Sequence, residues 1–179
     1  MATAAEPLLM SVEQYRSLPS RADSIQELRW GQVVTLTFPK KQHTKIQSRL
    51  QDLLRPAAEG KGLLAIEFPF RAVPEYDLRA ADVAFVSSER WEQTPDNDNL
   101  HGAPELVIEV LSPSNTPAEM REKAALCLSN RTEEFWLVDP QRRIVTVMRK
   151  GESTQVYHAN DQISVRLLDA RFTVADIFA

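Results

Sequence analysis

The segment that most constrains the fold is Glu105-Leu-Val-Ile-Glu-Val-Leu111, which is apolar almost without interruption. A strand with one wetted face alternates apolar and polar residues, so a run like this predicts a strand covered on both faces. Pro113 and Pro117 bracket a turn after it, and the spacing from about Ala118 to Leu128 predicts a helix. The next strand is Glu134-Phe-Trp-Leu-Val138. Strand, helix and strand in that order form a β-α-β unit, which places the two strands side by side in one sheet. With 179 residues, 43% of them apolar, the chain has enough material for one sizeable core. The expected organisation is therefore a loosely held N-terminus, 1–10, and one domain over 11–179.

The remaining segments supply smaller elements. Ser11-Val-Glu-Gln-Tyr-Arg-Ser-Leu18 reads as a short helix capped by Ser11. Residues 25–30 and 32–38 alternate around Trp30-Gly31 as a hairpin does. Gln42 to Ala58 follows as a helix, with Ile46, Leu50, Leu53 and Leu54 on one apolar stripe. Two short strands around Leu63–Phe70, a strand Ala80–Val86 and a polar loop through 94–99 precede the central run. Segments 143–150, 153–158 and 162–168 continue as antiparallel strands, and 174–178 ends as a helical turn.

Composition limits the function classes. No stretch is apolar for the length of a membrane span, and Met1 to Leu9 lacks the basic start of a signal peptide, so a cytoplasmic location is expected. The lone Cys127 excludes an intrachain disulfide and cannot by itself build a zinc site. No glycine-rich phosphate loop exists among the five glycines. Ser112 and Ser114 lack a recognisable histidine and acid arrangement for nucleophilic hydrolysis. The net charge of −4 gives no global attraction for a polyanion. Lys40, Lys41, Lys45, Arg49, Arg55 and Lys61 nonetheless face only Asp52 and Glu59 over 40–61, which is either a solvated helix face or a nucleic-acid-binding surface.

Two residues contradict their surroundings. Asp82 opens Asp-Val-Ala-Phe-Val86 and Glu109 interrupts the central run, both carboxylates in otherwise apolar strands. An ionised carboxylate taken out of water needs a cation, several donors or a raised pKa, so each is a structural ion pair or a functional group. On neighbouring strands the two would offer the hard oxygen ligands that Mg²⁺ prefers. Lys123 falls at the edge of the helical stripe Met120, Ala124, Cys127 and Leu128, and reads as a snorkelling lysine or as one reaching inward to a metal-bound phosphate.

Taken in order, Pro104-Glu-Leu-Val-Ile-Glu-Val-Leu-Ser-Pro-Ser114, Lys123 and Glu134-Phe-Trp-Leu-Val-Asp-Pro140 resemble the central signature of the Uma-type restriction endonuclease family, within the PD-(D/E)XK nuclease superfamily. Upstream, Arg79-Ala-Ala-Asp-Val-Ala-Phe-Val86 is similar to the family's Arg-x-Pro-Asp strand, and Gln26-Glu-Leu-Arg-Trp-Gly-Gln32 to its opening hairpin. His43 matches the histidine that begins the following helix. The resemblance runs over about 11–178 and implies an α/β (α+β) restriction-endonuclease-like fold, a mixed sheet flanked by helices, here with additional antiparallel C-terminal strands.

For function the resemblance implies Mg²⁺-dependent hydrolysis of DNA phosphodiester bonds, with Mn²⁺ as an alternative ion. Asp82 and Glu109 are the expected metal ligands, Lys123 stands for the motif lysine, and Glu27 is a further ligand, an orienting acid or an exposed hairpin acid. His43, Lys45 and Arg49 are the candidate DNA contacts, and a homodimer or higher homo-oligomer follows from the two cuts a duplex requires. The chain departs from the family pattern at Ala81 for the proline, at Leu111 for the lysine of the E-x-K form, and at Gln32 for a second hairpin acid. The alternatives are a catalytically inactive nuclease-fold protein that binds DNA or regulates, and an oligomeric interaction protein acting through its C-terminal strands.

Overall fold

The computed structural model describes residues 9–19 and 23–179. Of the N-terminal stretch expected to be loosely held, 1–8 lie outside the described residues, and Met10 donates its N–H to the carbonyl of Gly31 at 3.0 Å. The first helix, α1 (Val12–Arg16), begins with a capping box: the Ser11 side chain accepts from Gln14 N–H and the Gln14 side chain accepts in return from Ser11 N–H. Strands β1 (Ile25–Arg29) and β2 (Gln32–Leu36) form the expected hairpin. Trp30 and Gly31 both take positive φ at its tip, 49° and 72°, as a tight two-residue turn between twisted strands requires.

The 18-residue helix α2 (Lys41–Ala58) buries Ile46, Leu50 and Leu54, three-quarters of the apolar stripe read from the spacing. It packs on a seven-stranded sheet built from β3 (Gly62–Arg71), β4 (Arg79–Ser87), β5 (Leu100–His101), β6 (Leu106–Val110), β7 (Glu134–Asp139), β8 (Ile144–Arg149) and β9 (Gln155–Tyr157). A short helix α3 (Ser88–Glu92) follows β4. The strand order is β5-β3-β4-β6-β7-β8-β9. Strands β6 and β7 are parallel and joined through α4 (Pro117–Ser129), which confirms the β-α-β unit. Pro117 is not a turn residue but the first residue of α4, where its missing N–H costs nothing, and Thr116 with Glu119 closes a capping box around it.

Two expectations are corrected. Leu63–Phe70 is one strand and not two, because β3 keeps a single register against β4 from Gly62↔Ser87 to Phe70↔Arg79. Glu67, at φ 50°, bends the strand without ending it. The strand expected over 162–168 ends at Val165 and stands outside the main sheet, as the first arm of a separate antiparallel hairpin, β10 (Gln162–Val165) and β11 (Ala170–Thr173), followed by α5 (Val174–Ile177). Its turn uses Asp169 at φ 55°, so no glycine marked it in the sequence.

The sheet separates two apolar layers. One joins α2, the β10–β11 hairpin and α5 to Val83, Phe85, Leu106, Ile108, Val110 and Trp136. The other joins α4 to Ala84, Val86, Val107 and Phe135. Helix α4 is also held by charge, since fully buried Arg79 donates to Asp77 at 2.9 Å and to both oxygens of Glu122 at 2.6 and 2.8 Å. No described helix is long and apolar enough to cross a membrane. Because Asp77 is itself 0% exposed, Arg79→Met should leave a buried carboxylate without its cation and cost about 3–5 kcal/mol in urea unfolding. A loss below about 1 kcal/mol would mean that the network does not anchor α4.

Candidate metal centre

The central carboxylates stand at the point where the β4–β6 ladder ends. Strand β4 pairs with β6 through Phe85↔Leu106, Ala84↔Val107 and Val83↔Ile108, and there the pairing stops. The next residues along the two strands, Asp82 and Glu109, lie outside the ladder. Asp82 closes the ladder's end: its Oδ2 accepts the N–H of Val110 at 2.6 Å, which has lost its partner on β4. The ladder on the other side breaks at the same point. Ile66 pairs with Val83 and Phe68 with Ala81, while Glu67 and Asp82 between them are unpaired. The packing follows the break, since Leu63 and Ala65 lie against the α4 layer on one side of Glu67 and Phe68 and Phe70 on the other, a change from odd to even positions.

Glu109 continues the α4 face of β6 after Val107 and is only 6% exposed. Its Oε2 accepts from the ammonium of Lys123 at 2.7 Å, and its Oε1 is buried with no hydrogen-bond partner among the described residues. Lys123 is 4% exposed, so the snorkelling alternative fails, and Nζ also donates to the Ala80 carbonyl at 2.7 Å. Glu27, also 4% exposed, is not an exposed hairpin acid: Oε1 accepts the N–H of the same Ala80 at 2.9 Å, and Oε2 accepts from Arg29 at 2.8 Å. One residue of β4, Ala80, two before Asp82, is thus held through its carbonyl by the candidate lysine and through its N–H by the hairpin acid.

The charges here do not balance. Burial works against the Lys123 ammonium, but Glu109, Glu27 and Asp82 all favour it and hold its pKa above the ordinary lysine value. Burial raises the Glu109 pKa, to about 7, and the charges of Asp82 and Glu27 add to the rise against the opposing pull of Lys123. The two shifts agree once the surplus is counted: the Lys123 ammonium and the Arg29 guanidinium face three carboxylates, so the lysine stays charged and a carboxylate carries the strain. A site with excess buried negative charge and an unpartnered carboxylate oxygen suits a divalent cation with oxygen ligands.

On the other side of Asp82 stands α2. His43 Nε2 lies 3.1 Å from Asp82 Oδ2, and Gln47, 1% exposed, donates from its amide to both Glu67 and Asp82. Sequence reasoning found His43 but missed Glu67 and Gln47. Both left a trace, an acid inside the apolar run Leu63–Phe70 and an amide one turn after His43, adjoining the buried stripe. Of the basic residues on α2, Lys45 is exposed, whereas Arg49 donates to the Asp176 carbonyl at 2.8 Å and so ties α2 to α5.

Removing the ammonium should expose the imbalance. Lys123→Met is expected to cost about 3–5 kcal/mol at pH 8 in the absence of divalent ions, because Glu109 then lies buried and unpaired. Adding Glu109→Gln to that variant should recover most of the loss, giving a coupling energy by double-mutant cycle in chemical denaturation. Additive losses would mean that the two groups do not act as a pair.

Comparisons with known proteins bear on the fold and the family. A crystal structure described as a putative nuclease belonging to DUF820, from Anabaena variabilis ATCC 29413, superposes with a TM-score of 0.79 at 20% identity, covering 94% of this chain and 97% of that one. At that identity the likeness establishes the fold, the restriction-endonuclease-like mixed sheet flanked by helices. No curated protein matches the chain. The sequence matches the family Uma2, described as "Putative restriction endonuclease", over residues 12–175, nearly the whole length, and the chain belongs to that family.

Proposed function

We propose that this protein is a Mg²⁺-dependent endonuclease that hydrolyses DNA phosphodiester bonds, with Mn²⁺ able to replace Mg²⁺. The observation that carries the reading is Glu109, a buried carboxylate with one oxygen on Lys123 and the other without a hydrogen-bond partner among the described residues, one residue before Val110, whose N–H Asp82 accepts. Asp82 and Glu109 would hold the ion, and their oxygen donors fit it. A bound Mg²⁺ there supplies a Lewis acid for the phosphate and lowers the pKa of a coordinated water.

The chain's own groups account for the rest. Lys123 has its ammonium fixed by Glu109 and Ala80, already charged and largely out of water, where a positive charge stabilises a phosphorane-like transition state far better than in bulk solvent. Glu27 acts through Ala80, setting the strand that carries Asp82, and is a positioning residue in this reading. Lys45, exposed on α2, meets the phosphate backbone, and His43 stands in the same first turns of the helix, turned toward Asp82. Arg49 contributes charge from the same helix while its guanidinium holds α5. Cleaving both strands of a duplex takes two such sites, so the reading extends to a homodimer.

Calorimetric titration with Mg²⁺ and cleavage of single-stranded, duplex and branched DNA test the proposal together. Glu109→Gln should abolish Mg²⁺ binding and cleavage while the thermal melt is unchanged or raised, since a strained buried charge is gone. Lys123→Met, assayed below its melting temperature, should cut turnover by about 10²-fold or more. Mg²⁺ binding without cleavage of any substrate would favour the inactive DNA-binding or regulatory alternative; a folded protein that binds no Mg²⁺ would sink the nuclease reading. For the nucleic-acid surface, Lys45→Ala should flatten the salt dependence of DNA affinity by about one unit of log–log slope. An unchanged slope would place the DNA elsewhere.

A further inference from the structure

His43, Glu67 and Asp82 each present one ligand atom, and these atoms all lie within 4.8 Å of one another. They come from three elements, α2, β3 and β4, so no local chain geometry explains the meeting. The pair His43 Nε2 and Asp82 Oδ2 are 3.1 Å apart. Adjacent ligands of a six-coordinate ion with bonds of about 2.1 Å stand about 3.0 Å apart, so this pair already has the spacing of two neighbouring corners of an octahedron. His43 Nδ1 is buried and without a hydrogen-bond partner among the described residues, so the polar contact that orients the ring there is on its Nε2 side. Two carboxylates at this distance repel, and Gln47 offsets part of that by donating to both. Glu67 is otherwise exposed at the protein surface, so the cluster opens to solvent and an ion has a route in.

We propose that His43, Glu67 and Asp82 form a second divalent-cation site, which shares Asp82 with the Asp82–Glu109 centre and, through its imidazole, selects transition-metal ions over Mg²⁺. Oxygen-only sites suit Mg²⁺, whereas an imidazole nitrogen shifts preference toward Mn²⁺, Co²⁺ and Zn²⁺. Gln47 is the residue that positions both carboxylates; it does not itself need to touch the ion. The proposal rests on the nuclease reading only for the role of the neighbouring centre, and the binding it predicts does not depend on cleavage.

The test uses the full chain, with Mn²⁺ and Co²⁺ as probes. Mn²⁺ is followed by electron paramagnetic resonance, with spin-echo modulation reporting a directly bound imidazole nitrogen, and Co²⁺ by its visible absorption. The parent should show an imidazole-coupled Mn²⁺ that survives excess Mg²⁺. His43→Asn should remove the nitrogen coupling, and Glu67→Gln, a change at an exposed side chain that leaves the fold intact, should weaken that ion about tenfold or more. Glu109→Gln should leave the imidazole-coupled ion in place while removing Mg²⁺ binding. Absence of nitrogen coupling in the parent, or Mn²⁺ affinity indifferent to both His43→Asn and Glu67→Gln, overturns the second site and leaves the Asp82–Glu109 centre standing. Loss of the imidazole-coupled ion in Glu109→Gln also overturns it, by showing one merged centre. Retention of Mg²⁺ binding in Glu109→Gln, with the imidazole-coupled ion intact, sinks the nuclease centre and not the second site.

Discussion

The arrangement around the end of the β4–β6 ladder depends on one ammonium. Among the described residues Lys123 is the one cation bonded to Glu109, and it stands among Glu109, Glu27 and Asp82 in a place from which water is largely excluded. Like charges so close would push β1, β4 and β6 apart; the lysine on α4, with Arg29 on Glu27, holds them at the cost of leaving negative charge in excess. That helix in turn is fixed by Arg79 on Glu122, the neighbour of Lys123, so a buried arginine on β4 governs how far the lysine extends over β6. Structural and functional charge are therefore one connected network. The buried pair is poor as a source of net stability, which is the usual condition of a group retained for another reason.

Much of this was legible before any coordinates. Glu109 and Asp82 announced themselves because a carboxylate in an apolar strand violates the binary pattern, and such violations are where function tends to lie. The β-α-β unit followed from a strand with no polar face, and Ser11 as a cap from its position before a short amphipathic run. Lys123 was visible only as a position on a helix edge. Spacing gives a direction around the helix axis but not the depth to which a flexible side chain extends, and four methylenes decide between solvent and core.

What stayed hidden was mostly non-local. Glu67 and Gln47 make sense only when β3 lies against β4 and α2 crosses both, a juxtaposition no periodicity encodes. The division of 162–173 into a hairpin was missed because Asp169 takes a left-handed conformation without the usual glycine. Arg49 read as part of a basic surface, and its guanidinium is instead spent on a backbone carbonyl of α5. Identity and charge are written in a sequence; which partner consumes the charge is decided by the tertiary packing.

The fate of those basic side chains reshapes the field around the molecule. Lys61 donates to the Leu168 carbonyl at 2.7 Å and Arg55 lies 3.8 Å from Asp52, so the C-terminal half of α2 and its flank have their cations occupied. Lys40, Lys41 and Lys45 remain exposed at the opposite end, where the first N–H groups of the helix add roughly half a positive charge and the Lys40 side chain makes no capping bond. The helix is thus electrically polarised well beyond its own dipole, positive at the end that carries His43 and nearly neutral at the other. On a protein with a net charge of −4, an approaching anion meets a steep local gradient and not a broad attractive surface, so capture is confined to short range and to one orientation.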